Sequence, residues 1–133
     1  MINENTKLNE NAPKGLDTLT CSALANVIID YPNLGISGFW HKTRITLSHL
    51  KEERVELSKA VNEVDESREW IRKNCRKKKG MNMDRSSYGL KHNIEKENGY
   101  ISNGACIAAF IAEGYKLHHF NSKSLNCYFN VSF

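Results

Sequence analysis

Residues 86–114 read SSYGLKHNIEKENGYISNGACIAAFIAEG, and this stretch carries the clearest start and stop signals in the chain. The hydroxyl of Ser86 or Ser87 is placed to accept a hydrogen bond from an N–H that the first turn of a helix leaves unpaired, and Gly99 is where that helix should stop. Leu90 and Ile94, one turn apart, give it a narrow apolar stripe. A second helix takes Ser102 as its cap and Gly114 as the residue just past its end. Between them Ala105, Ile107, Ala108, Ala109, Phe110, Ile111 and Ala112 cover nearly the whole circumference, so this helix reads as a core element. Burial of Ile107, Phe110 and Ile111 is worth about 1.5–3 kcal/mol each. Gly99, Tyr100 and Ile101 make the corner, with Tyr100 and Ile101 placed to wedge into the junction, in the outline of a helix-turn-helix. The same spacing also serves an ordinary two-helix corner with no nucleic-acid role.

Past Gly114 the apolar period changes from helical to alternating. Cys127, Phe129, Val131 and Phe133 alternate with Tyr128, Asn130 and Ser132, which predicts a strand with one buried face over 126–133. Tyr115 to Phe120 supplies an antiparallel partner, and NSKSLN is the loop of the hairpin. Two strands alone are marginal in water, so the hairpin should lie against the apolar helix. Helix, corner, helix and hairpin is the order of a winged helix. The predicted fold is therefore α+β and mostly helical, winged-helix-like, preceded by a long amphipathic helix.

That helix spans about Leu47 to Asn74, with Leu50, Leu57, Val61, Val64 and Ile71 at helical steps and no Gly or Pro inside. Lys51, Glu52, Glu53, Glu56, Lys59, Glu63 and Glu66 form a face read as solvated, and Glu69 is placed to pair with Lys73 one turn on. An interruption at Asp65 or Ser67 would split off a shorter helix. Further upstream, Leu16, Leu19, Ala23, Leu24, Val27 and Ile28 follow helical spacing behind Asp17 or Thr18 as caps, until Tyr31-Pro32 closes the run, with a strand open for part of it. The connection 32–42, PNLGISGFWHK, holds Phe39 and Trp40, which either anchor the loop to the core or form an exposed contact patch. Residues 1–15 are polar and Asn-rich, the composition of a disordered arm. The expected organisation is one domain over 16–133, with a helical half at 16–74, a basic linker at 75–85, and the corner and hairpin at 86–133. Leu50, Leu57, Val61, Leu90, Ile94, Ile107, Phe110, Ile111, Phe129 and Val131 should share one core.

A chain of 133 residues buries enough surface to fold without metal or disulfide. Cys21, Cys75, Cys106 and Cys127 are far apart with no CxxC, and read as reduced thiols. No apolar run has the length of a membrane span and the start lacks a secretory apolar segment, so the expected compartment is cytoplasmic.

Charge is the feature that points to a partner. Residues 72–91 hold eight Lys and Arg against one acidic residue, a net +7. Residues 1–71 sum to −3 and residues 92–133 to zero. Arg72, Lys73, Arg76, Lys77, Lys78, Lys79, Arg85 and Lys91 packed this densely repel one another, and a polyanion that releases counterions on binding is their natural complement. A solvated basic linker is the alternative. The second helix has Glu113 as its one charged residue, so major-groove reading would fall to Ser102 and Asn103 at its start, with Lys123 in the hairpin loop as a further phosphate contact.

Catalytic signatures are absent: there is no HExxH, GxxxxGK[ST], GxSxG or paired-cysteine zinc spacing. His118 and His119, adjacent in a strand, point to opposite faces. His92 and Cys106 could meet across the corner, where a packed histidine beside a buried cysteine outweighs a nucleophile pair. No enzyme, cofactor or metal is expected.

Ser87-Tyr88-Gly89-Leu90-Lys91-His92, Glu95, Gly99-Tyr100-Ile101-Ser102-Asn103-Gly104, Ile107-Ala108-Ala109 and Gly114-Tyr115 together resemble a pattern in small, mostly uncharacterised proteins of bacterial phages and mobile elements. The resemblance covers roughly the last fifty residues and implies a genomic setting, in which DNA-binding regulators and inhibitors of host defence, anti-CRISPR proteins among them, are common. The leading expectation is a nucleic-acid-binding module. The alternative is a protein inhibitor using the basic segment and the Phe39-Trp40 loop as its contact surface.

Overall fold

A computed structural model describes residues 19–133; the arm at 1–15 and the caps Asp17 and Thr18 lie outside the described residues. Five α-helices are found among them: α1 (Thr20–Asp30), α2 (Leu47–Lys59), α3 (Val61–Asn74), α4 (Ser87–Asn98) and α5 (Asn103–Ala112). Six strands of two residues each accompany them: β1 (Leu34–Gly35), β2 (Gly38–Phe39), β3 (Arg76–Lys77), β4 (Leu117–His118), β5 (Tyr128–Phe129) and β6 (Val131–Ser132). The fold is α+β and mostly helical, with small antiparallel pairs.

The most apolar helix of the sequence is the centre of the molecule. Ser102 Oγ accepts from the Ala105 amide and starts α5; at the other end Gly114, at φ +86°, turns the chain so that Tyr115 N donates to Phe110 O. The helix packs against α1, α3, α4 and β2, and Ile107, Ala108, Ala109 and Phe110 are fully buried. Ile111, expected in the core, is half-buried and packs at its edge. Phe110 stacks on Phe129 with ring centroids 4.8 Å apart and meets the edge of Tyr115 at 5.2 Å.

At the corner only Ile101 wedges inward. Tyr100 is 71% exposed, its ring centre 5.0 Å from Lys91 Nζ. The start of α4 also differs from its expected cap. Neither serine hydroxyl caps the helix; Ser87 instead exchanges bonds with Cys127, its N–H donating to Cys127 O (2.7 Å) and its Oγ accepting from Cys127 N (3.2 Å).

The stretch 47–74 is two helices, and the break falls at Ala60 rather than at Asp65 or Ser67. Ala60 sits at φ −86°, ψ 37° and ends α2 while starting α3. Nothing local demands this, since alanine is the best helix former. Packing supplies the cause: one straight helix would run about 42 Å, whereas α2 lies on α1 and β1 and α3 lies on α1 and α5. Leu57, Ala60 and Val64 are all buried at the bend. Leu50 and Val61, expected in the core, are half-buried; Leu50 lines a groove with Ile28, Pro32, Leu47 and Val55.

Glu53, read as part of a solvated face, is buried. Its carboxylate accepts from Ser37 N (2.9 Å), Ser37 Oγ (2.9 Å) and Trp40 Nε1 (2.8 Å), and so holds the β1–β2 turn on α2. This turn also requires glycine. Gly38, at φ +125°, lies so close to the Leu125 carbonyl that a Cβ would sit 2.3 Å from its oxygen. Glu53→Ala is expected to cost about 2 kcal/mol, since three donors lose a partly buried charged acceptor. Urea unfolding checks it, and a free-energy change under about 0.5 kcal/mol would remove Glu53 as the anchor.

The segment 75–85, expected as a linker, contains β3, which pairs antiparallel with β6 in the register Arg76↔Ser132, Lys77↔Val131. The expected hairpin is divided accordingly. β4 pairs with β5 (Leu117↔Phe129, His118↔Tyr128), and after a bend at Asn130 the chain turns to β3. Asn130 is the join: its N–H donates to Lys116 O, its Oδ1 accepts from Lys116 N, its O accepts from Lys78 N, and its Nδ2 donates to Lys78 O.

Candidate nucleic-acid interface

Four consecutive cations stand on β3 and the two residues that follow it, a segment that backbone hydrogen bonds hold in place. Arg76, Lys77, Lys78 and Lys79 are all exposed, and among the described residues none of them has a carboxylate within ion-pair distance. The Lys78 amide is tied to Asn130 O, and Asn82 N to Phe129 O, each at 2.9 Å. Lys77 Nζ lies 5.3 Å from the centre of the Tyr115 ring. Side chains on so short a tether cannot all move apart, so their mutual repulsion persists until an anion relieves it.

Arg72, Lys73, Arg85 and Lys91 have other duties. Arg72 donates through Nε (3.0 Å) and Nη2 (2.9 Å) to Glu113, beside the buried Arg68. Lys73 pairs with Glu69 at 3.1 Å. Arg85 donates to Asn93 Oδ1 and lies over the Phe133 ring, 5.1 Å from its centre. Lys91 is buried, 3.0 Å from Glu95 Oε2 and about equally spaced from the Tyr88 and Tyr100 rings. Burial pushes the Glu95 carboxyl up, but the Ile101 amide, Lys91 and His92 outweigh this and hold it below its ordinary range.

Ser102 and Asn103 do not present themselves to a groove. Ser102 is 2% exposed, with its amide donating to Glu63 Oε1 at 2.7 Å. Asn103 is 7% exposed, and its Nδ2 donates to Ser37 O and Asn126 Oδ1. With α5 buried, the second helix of the corner has no face to lay in a major groove. Lys91, Asn103 and Lys123 come together around a second depression, with Tyr88 and Tyr100 on its rim.

Phe39 is 8% exposed, packed between Tyr31 and His119, and Trp40 is half-buried with its indole N–H on Glu53. Both act as anchors of the loop in this structure. An exposed aromatic edge lies elsewhere, at His118, Phe120 and Tyr128. The alternation of 126–133 already turned Tyr128 outward; what the sequence lacked was the register that brings His118 opposite it.

The groups considered for chemistry are set apart from one another. His92 Nδ1 lies 2.8 Å from Glu95 Oε1, whereas Cys106 Sγ donates to Ser87 O. Burial pushes the Cys75 and Cys127 thiols up to about 12 and Cys106 well above its ordinary value, so all three stay protonated and unreactive near neutral pH. Among the described residues, no group of three His, Cys, Asp or Glu is placed to hold a metal ion, and no helix is long and apolar enough to cross a membrane. No protein-family model, curated protein or solved structure matches this chain.

Proposed function

We propose that this chain is a non-catalytic nucleic-acid-binding module of a phage or mobile element, acting in the cytoplasm, that contacts phosphates through Arg76, Lys77, Lys78 and Lys79. One observation carries the reading: four adjacent cations, exposed and, among the described residues, without carboxylate partners, on β3 and the two residues after it, which backbone hydrogen bonds to β6 and Asn130 hold. Within the winged-helix-like order, the strands rather than the second helix supply the contacts, and affinity depends on phosphates more than on base edges. Binding of a labelled nucleic acid should weaken steeply between about 50 and 200 mM salt. Changing Arg76, Lys77, Lys78 and Lys79 together to Gln should flatten the slope of log affinity against log salt by up to about 3–4. Absence of binding at low salt, or binding indifferent to salt, rejects the proposal.

A second reading, a protein inhibitor of a host defence complex, draws on a different observation. Leu47 is 86% exposed and Val55 43%, and both line the groove between α1 and α2 with Ile28, Pro32 and Leu50. Apolar surface of this kind suits a protein partner. Under this reading Leu47→Asp abolishes capture of a protein partner from nuclease-treated host lysate, while the four-fold Gln variant retains it; the opposite result rejects it.

A further inference from the structure

Resting on the nucleic-acid reading above, we propose that the polymer this protein takes is single-stranded, its bases stacking on the edge formed by His118, Phe120 and Tyr128 and its phosphates following the basic segment 76–79. The register of β4 and β5 pairs His118 with Tyr128, so both project from one face, while Leu117 and Phe129 project from the other, where Phe129 is fully buried. Phe120 follows His118 by two residues and joins the same face. The His118 and Phe120 ring centres are 3.8 Å apart, and Phe120 meets Tyr128 at 5.6 Å with the planes at 70°.

Phe120 is 54% exposed and contributes nothing to the core. Its ring is therefore available to stack on a planar ligand. Asn130 links the strand pair that carries this edge to the basic segment, its backbone and amide bonding Lys116 on one side and Lys78 on the other. The two segments that build the surface, 76–83 and 114–133, contain six Lys or Arg and no Asp or Glu. An acidic protein surface would answer the charge and leave the rings unused; an apolar peptide would answer the rings and leave the charge unused. A nucleotide brings an anion and a π-face together. A duplex hides its base faces, and the helix that could have entered a major groove is buried. Unpaired bases are what this surface can use.

The test is fluorescence anisotropy of the full chain with labelled oligothymidine of about 16 nucleotides and with a blunt duplex, at one low salt concentration. The oligothymidine should bind more tightly than the duplex. Phe120→Ala should weaken oligothymidine binding roughly 5- to 100-fold and leave duplex binding and the salt slope unchanged, while Phe120→Trp should retain affinity and show indole quenching on binding. The exposed position of Phe120 keeps the fold intact, which an unchanged thermal midpoint verifies. Equal affinity for both polymers, or an unaltered Phe120→Ala variant, overturns the single-strand inference while leaving the phosphate-binding proposal standing. No binding of either polymer overturns both.

Discussion

Replacing Phe110 by alanine is expected to lower the free energy of unfolding by about 3–5 kcal/mol. The side chain is fully buried on the central helix, stacked on Phe129 and edged by Tyr115, so truncation loses its transfer free energy and two ring contacts at once. The surroundings cannot close the gap cheaply. Phe129 is set by its pairing with Leu117, so its ring is not free to follow the truncated side chain. The urea midpoint is the measurement, and a Phe110→Leu variant should recover part of the loss by refilling volume. A midpoint unchanged by Phe110→Ala would mean that α5 is not the centre of the core.

Removing the Glu113 carboxylate should cost a comparable amount, about 3–5 kcal/mol for Glu113→Ala, for a different reason. Glu113 Oε2 accepts from Arg68 Nε at 2.7 Å and from Arg72 Nη2 at 2.9 Å, and Oε1 accepts from Arg72 Nε at 3.0 Å. Arg68 is 1% exposed on α3, with Thr20 Oγ1 as a further contact. Without the carboxylate, its guanidinium charge stays in a low-dielectric core and loses the ion pair made at 2.7 Å. Arg72 is half exposed and water can take over its solvation. The contrast is Glu69–Lys73, where both side chains are about two-thirds exposed and disruption should cost only a few tenths of a kcal/mol. Pairing Glu113→Ala with Arg68→Met should recover much of the stability, because an apolar side chain of similar length tolerates the site. Should Glu113→Ala unfold at the wild-type denaturant concentration, the pair contributes nothing and the assignment fails.

Local chemistry made some of the structure legible in advance. Ser102 and Gly114 bound α5 and Gly99 ends α4, because a cap hydroxyl and a residue tolerant of positive φ act within a few residues of where they stand. The density of apolar residues between Ser102 and Gly114 identified the core helix for the same reason. The basic run was visible as composition alone, since charge needs no partner to be counted.

What stayed hidden was everything set by a distant partner. Ala60 breaks the 47–74 stretch without a Gly or Pro, because two packing surfaces point in different directions. Glu53 and Glu63 read as members of a solvated helix face until the turn at Ser37 and the Ser102 amide arrive to satisfy them, and nothing local marks Arg68 as the buried partner of Glu113. A pair such as Arg76-Lys77 has no strand period of its own, so β3 exists only because β6 offers it unpaired backbone groups. By itself the sequence determined where the helices of the corner begin and end, which of them is apolar, and where the positive charge lies. Only the tertiary structure decided that Phe39 and Trp40 turn inward and that Phe120 stays outside beside His118 and Tyr128. Hydrogen-bond partners and ring neighbours are chosen across the fold, and no local period encodes them.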